Sequence, residues 1–153
     1  MNIMFTIVGL INIAVAILHM AILFIGTHAY QYFGAPAYFV QNNHSWYTFG
    51  FMLGIILLFF MAGLYALSAA SIIRKLPNLT FILLLIGVIY TLRGGIVFLI
   101  PFPKLTQFLI LSQPNLLGMG RPLLTRDWIF SFVWLIVGLC YLWGGLRHHL
   151  DLR

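Results

Sequence analysis

Two ionisable side chains, His19 and Arg93, fall well inside long apolar runs of this chain. At that depth in hydrocarbon an ionisable group is costly, so it turns inward, pairs, or marks a functional site. Each lies about seven residues before the end of its run, and at about 1.5 Å of rise per residue both sit roughly 10 Å below the same side of the membrane. A third apolar run is headed by Asp127, and Asp127, Ser131, Trp134, Gly138, Tyr141 and Gly145 share one helical stripe. Asp127 stands where a helix N-terminus favours an acid. The long stem of Arg93 lets its guanidinium reach up to that carboxylate, for which Arg126 competes.

Asn12 and His19 share a face of the first run, with Ala16 between them, and Tyr90 precedes Arg93 by three residues. The expectation is an outer-leaflet cavity lined by His19, Tyr90, Arg93 and Asp127, with Asn12 and Ser131 at its edges. The structural reading stands beside it. Asn12, Tyr90 and Ser131 then serve as interhelical hydrogen-bonding groups, His19 as a satisfied donor, and Arg93–Asp127 as a buried pair.

Other chemistries fit less well. A metal needs three or more converging ligands, and His19, His28, His44 and Asp127 show no i, i+3 or i, i+4 spacing. Haem ligation by His19 and His44 would draw one axial ligand from a loop. Hydrolysis by Ser131, His19 and Asp127 lacks a nucleophile elbow and a second acid. Ion or proton conduction needs ionisable residues along the whole path, and the other halves of the runs carry none. The readings that remain are a non-enzymatic protein binding a lipid, another amphipathic anion or a quinone-like molecule, and a small accessory subunit of a larger membrane complex. A membrane-embedded enzyme or a haem or metal protein ranks below both. No cofactor is expected. The expected partners are membrane lipids and, in the second reading, larger membrane-protein subunits.

The elements that position these groups follow from composition. Of 153 residues, 63% are hydrophobic and 7% charged. A soluble domain carries about 25% charged residues, so neither a water-soluble globule nor a disordered chain fits. The length holds one domain with four apolar spans, at about 3–25, 46–70, 79–100 and 128–146. Uninterrupted runs such as Gly54 to Phe60 exclude alternating barrel strands. The predicted fold is therefore all-α, an integral membrane four-helix bundle. An apolar stretch too short to span, Leu105 to Leu111, is expected to form an interfacial or re-entrant segment between spans 3 and 4. The first run resembles a signal peptide only in its Ala14-Val15-Ala16 site. It has no Lys or Arg before it and continues to Ile25, so it reads as an uncleaved span.

The net charge of +6 is scattered near span ends, which favours lipid headgroups over nucleic acid. Arg74, Lys75, Arg147 and Arg153 mark one side and Lys104, Arg121 and Arg126 the other, while residues 26–45 carry no charge. The positive-inside rule then places both termini in the cytoplasm. Residues 26–45 hold Tyr30, Tyr32, Phe33, Tyr38 and Phe39, so this loop is expected to lie on the membrane surface. Gly50 and Gly54, and Gly87 and Gly94, are spaced for close helix approach. The single cysteine, Cys140, can form no internal disulfide.

The segments FIGTHAYQYFGAPAYF, FMAGLYALSAASIIRKLPNL and IGVIYTLRGGIVFLIP resemble a group of small bacterial inner-membrane proteins with four spans, to which no settled activity attaches. The resemblance covers most of residues 1–100 and carries over Arg93 and the Arg74-Lys75 pair. In layout alone the chain is similar to DoxX-like four-helix membrane proteins. That likeness implies a redox or accessory role, and the chain has no cysteine pair to carry the redox one.

Overall fold

A computed structural model describes residues 3–33, 35, 37–99 and 125–150. Among these, every regular element is a helix. Four are long: α1 (Ile3–Ile25), α4 (Trp46–Ala69), α5 (Leu79–Leu99) and α6 (Thr125–Leu150). Two short helices, α2 (Thr27–Tyr32) and α3 (Ala37–Gln41), occupy the charge-free connection between α1 and α4. The segment expected to be interfacial or re-entrant, Leu105 to Leu111, lies outside the described residues.

Local chemistry sets the helix ends. Ser45 caps α4, its hydroxyl accepting from the Thr48 amide at 3.2 Å. At the other end of α4 the chain turns through Ser71, whose φ is 61°. There the Ile72 amide donates to Leu67 O and the Ser71 amide to Ser68 O, both at 3.0 Å. This paired closure satisfies carbonyls that the last turn leaves open, with serine in the place usually held by glycine. Asn78 at φ 51° precedes α5, and its carbonyl accepts the first helical bond, from Ile82 at 3.0 Å. Asparagine tolerates this left-handed conformation better than most residues.

The long helices pack as two close pairs, α1 with α4 and α5 with α6. Glycines make each seam. A Cβ on Gly63 would meet the Ile13 side chain at 2.8 Å and Gly9 O at 3.0 Å. One on Gly87 would meet the Leu142 amide at 2.8 Å. The two pairs join at the end that holds the α4–α5 turn, where Phe5, Val8, Ala66, Ala70, Leu79, Leu83, Val137 and Tyr141 form a single buried cluster. A second cluster, Ile22, Ala29, Tyr30 and Met52, seats α2 against α1 and α4 at the opposite end.

The outer surface is strongly apolar. Phe24 is 82% exposed, and Leu58 and Trp46 are each 72% exposed. Exposed apolar area on this scale calls for a non-aqueous surround. Three helical stretches are long and apolar enough to cross a membrane: Ile3–Ile25, Trp46–Ala69 and Trp128–Arg147. Leu79–Gly95 of α5 is a shorter apolar helix.

Candidate functional site

A buried polar node ties the four long helices together. The Tyr90 hydroxyl (α5) donates to Asn12 Oδ1 (α1) at 2.6 Å. Asn12 Nδ2 donates to Val8 O at 2.9 Å and to the Tyr141 hydroxyl (α6) at 3.2 Å. Tyr141 in turn donates to Ala62 O (α4) at 2.8 Å. Asn12 and Tyr141 have no exposed surface. Each donor finds an acceptor, so the node costs little to bury, whereas a missing member would leave a polar group stranded.

On the side of the node away from the α4–α5 turn lies a group of half-buried rings. Phe59 stacks on Trp134, with centroids 5.1 Å apart and planes at 21°. Tyr90 meets Trp134 edge-on at 4.9 Å. His19 lies against Phe59 at 5.1 Å. The Nδ1 of His19 is 2.8 Å from Val15 O, and a carbonyl only accepts, so Nδ1 carries hydrogen. In the neutral ring, Nε2 is then the lone-pair nitrogen. All four rings are partly accessible, unlike Tyr141 below them.

The predicted site residues divide. Asn12 and Tyr90 come together, and His19 reaches them through Phe59. Ser131 is buried on the α5–α6 seam, where its carbonyl stands against Gly94. Arg93 does not join Asn12 and Tyr90, because its side chain is exposed. Helix rotation explains this. Three residues carry Arg93 about 60° round α5 from Tyr90, and Gly87 and Gly94 lie on the other side of Tyr90, against α6. Tyr90 and Asn12 are joined to each other, the tyrosine proton being used in their mutual bond. The side chain of Asp127 lies outside the described residues, and with it the expected Arg93–Asp127 pair.

Tyr141, Phe59 and Trp134 were not among the predicted site residues. Trp134 and Tyr141 stand on the Asp127 stripe, so the sequence held a signal for both. Phe59 sits in an unbroken apolar run that gives no sign of its facing. Among the described residues, no three His, Cys, Asp or Glu side chains come together as a metal site would require.

Comparison of the chain with protein-family models, with curated proteins and with solved structures finds no match.

Proposed function

We propose that this chain is a non-enzymatic membrane protein that holds an amphipathic molecule, with an anionic or quinone-like head, in the outer half of a four-span bundle. The reading places it in a bacterial inner membrane with both termini cytoplasmic. The observation that carries it is the position of Arg93. Arg93 is exposed on an apolar helix, one turn from Tyr90, whose half-buried ring packs with Phe59 and Trp134. A permanent cation in hydrocarbon requires an anion or an interfacial dipole. A lipid phosphate, a carboxylate-headed tail or a quinone carbonyl supplies one. The rings offer an apolar surface to the rest of such a molecule, and Nε2 of a neutral His19 accepts from a hydroxyl. The polar node beneath acts as the floor.

Native mass spectrometry of protein purified in mild detergent tests this reading. The expected result is a retained lipid or quinone that is lost in Arg93→Leu. Equal retention by that variant rejects the assignment of Arg93.

A second reading, a small accessory subunit, is favoured by a different observation. Gly50 and Gly54 lie exposed on α4, and a Cβ at either would meet nothing within 4 Å. Close-approach glycines on an open face suit the helix of a partner subunit. Stable co-purification with larger subunits from native membranes, lost on Gly54→Leu, supports that reading.

A further inference from the structure

We infer that the α4–α5 turn is a binding site for a phosphate-bearing anion, separate from Arg93 and at the opposite end of the helices. A shallow, largely open cleft of about 760 Å³, walled by residues 74–81 alone, lies there, with Arg74 and Lys75 beside Leu79 and Phe81. Both cations are exposed, and Phe81 is 66% exposed beside them. Two positive charges next to an outward apolar ring match an anionic head with an apolar tail.

The backbone of the turn is held in place before any ligand arrives. The Ser68 hydroxyl accepts from the Leu76 amide at 2.9 Å and donates to Arg74 O at 3.2 Å. The Tyr65 hydroxyl donates to Pro77 O at 3.3 Å. With Ser71 and Asn78 fixing the two helix ends, the cations project from a rigid frame, which lowers the ordering cost of binding. The first turn of α5 forms another part of the wall.

The phosphate belongs either to an anionic membrane lipid or to a free anion. The probes are phosphatidylglycerol against phosphatidylcholine in mixed micelles, read by native mass spectrometry, and inorganic phosphate, read by calorimetry. Arg74→Gln and Lys75→Gln each lower the retention of phosphatidylglycerol about fivefold, and the double variant roughly twenty-fivefold. Arg147→Gln, an exposed cation outside the cleft, changes it less than twofold. Folding is not at stake, since both side chains lie on the surface. If the ligand is a lipid, Phe81→Ser weakens phosphatidylglycerol and inorganic phosphate gives no heat. If the ligand is free phosphate, calorimetry detects it with the same dependence on Arg74 and Lys75, and Phe81→Ser leaves it unchanged. The inference is overturned if the double variant holds both probes as the wild type does, or if Arg147→Gln costs as much.

Discussion

Asn12 on α1 accepts a 2.6 Å hydrogen bond from Tyr90 on α5, and this contact links the two helix pairs through a fully buried asparagine and a half-buried tyrosine. Interhelical hydrogen bonds in membranes average only about 0.6 kcal/mol, because the separated helices also find partners. The bond itself is therefore worth little, and the cost of losing one member comes from the stranded group. Tyr90→Phe leaves Asn12 Oδ1 buried without that donor and is expected to cost about 1 kcal/mol. Asn12→Ala loses bonds to both tyrosines and is expected to cost more, about 2–3 kcal/mol with the cavity included. Adding Tyr90→Phe to Asn12→Ala costs little further. Unfolding in detergent with denaturant measures the cycle, and strictly additive losses would show that the two residues are not coupled.

The glycines separate a packed seam from an open face. A Cβ on Gly94 would collide with the backbone of Leu135 and Ser131, and one on Gly144 would collide with the Phe5 ring. Backbone cannot yield as a side-chain tip does, so Gly94→Ala is expected to destabilise by about 1–3 kcal/mol. Gly54→Ala meets open space and gains helix propensity, so it is expected to be neutral or to stabilise by up to about 1 kcal/mol. Thermal melts in detergent compare the two. A large loss at Gly54 would show that its face is covered in the purified protein.

The helix limits were legible in the sequence because they are decided locally. The apolar runs read at 3–25, 46–70 and 79–100 coincide with the helices α1, α4 and α5 within one residue, since they end at Gly26, Ser45 and the Ser71–Asn78 turn, whereas α6 continues three to four residues past each end of the run read at 128–146. The facing of Arg93 was not legible. Counting residues gives depth, but rotation depends on which side of α5 meets α6, and that is decided by Gly87, Gly94 and Gly138 acting together. A shift of about 60° separates an inward tyrosine from an outward arginine. The short helices α2 and α3 were also hidden, because their pattern is that of a greasy connector.

The proposed orientation predicts an asymmetric labelling pattern. Asn42 and Lys75 are both exposed, and they lie at opposite ends of α4. In a Cys140→Ala background, Asn42→Cys is expected to react with an impermeant maleimide from the periplasm. Lys75→Cys is expected to react only after the membrane is opened. The reverse pattern would place both termini outside and would move Arg93 to the cytoplasmic leaflet.

The turn that carries Arg74 and Lys75 depends on a single buried hydroxyl. Ser68 is 4% exposed, and it bridges the Leu76 amide and the Arg74 carbonyl. Ser68→Ala removes both bonds and strands the amide, which is expected to cost about 1–3 kcal/mol. The loss falls on the turn more than on the helices, because the paired amides of Ser71 and Ile72 still close α4. Trypsin cuts only where backbone can open, so the Lys75–Leu76 bond of Ser68→Ala in inside-out vesicles is expected to be cleaved several times faster than in the wild type. Equal cleavage rates would show that the turn is held by Tyr65 and the helix ends alone. A faster rate accompanied by weaker phosphatidylglycerol retention, with both cations still present, would show that the rigidity of the turn contributes to binding.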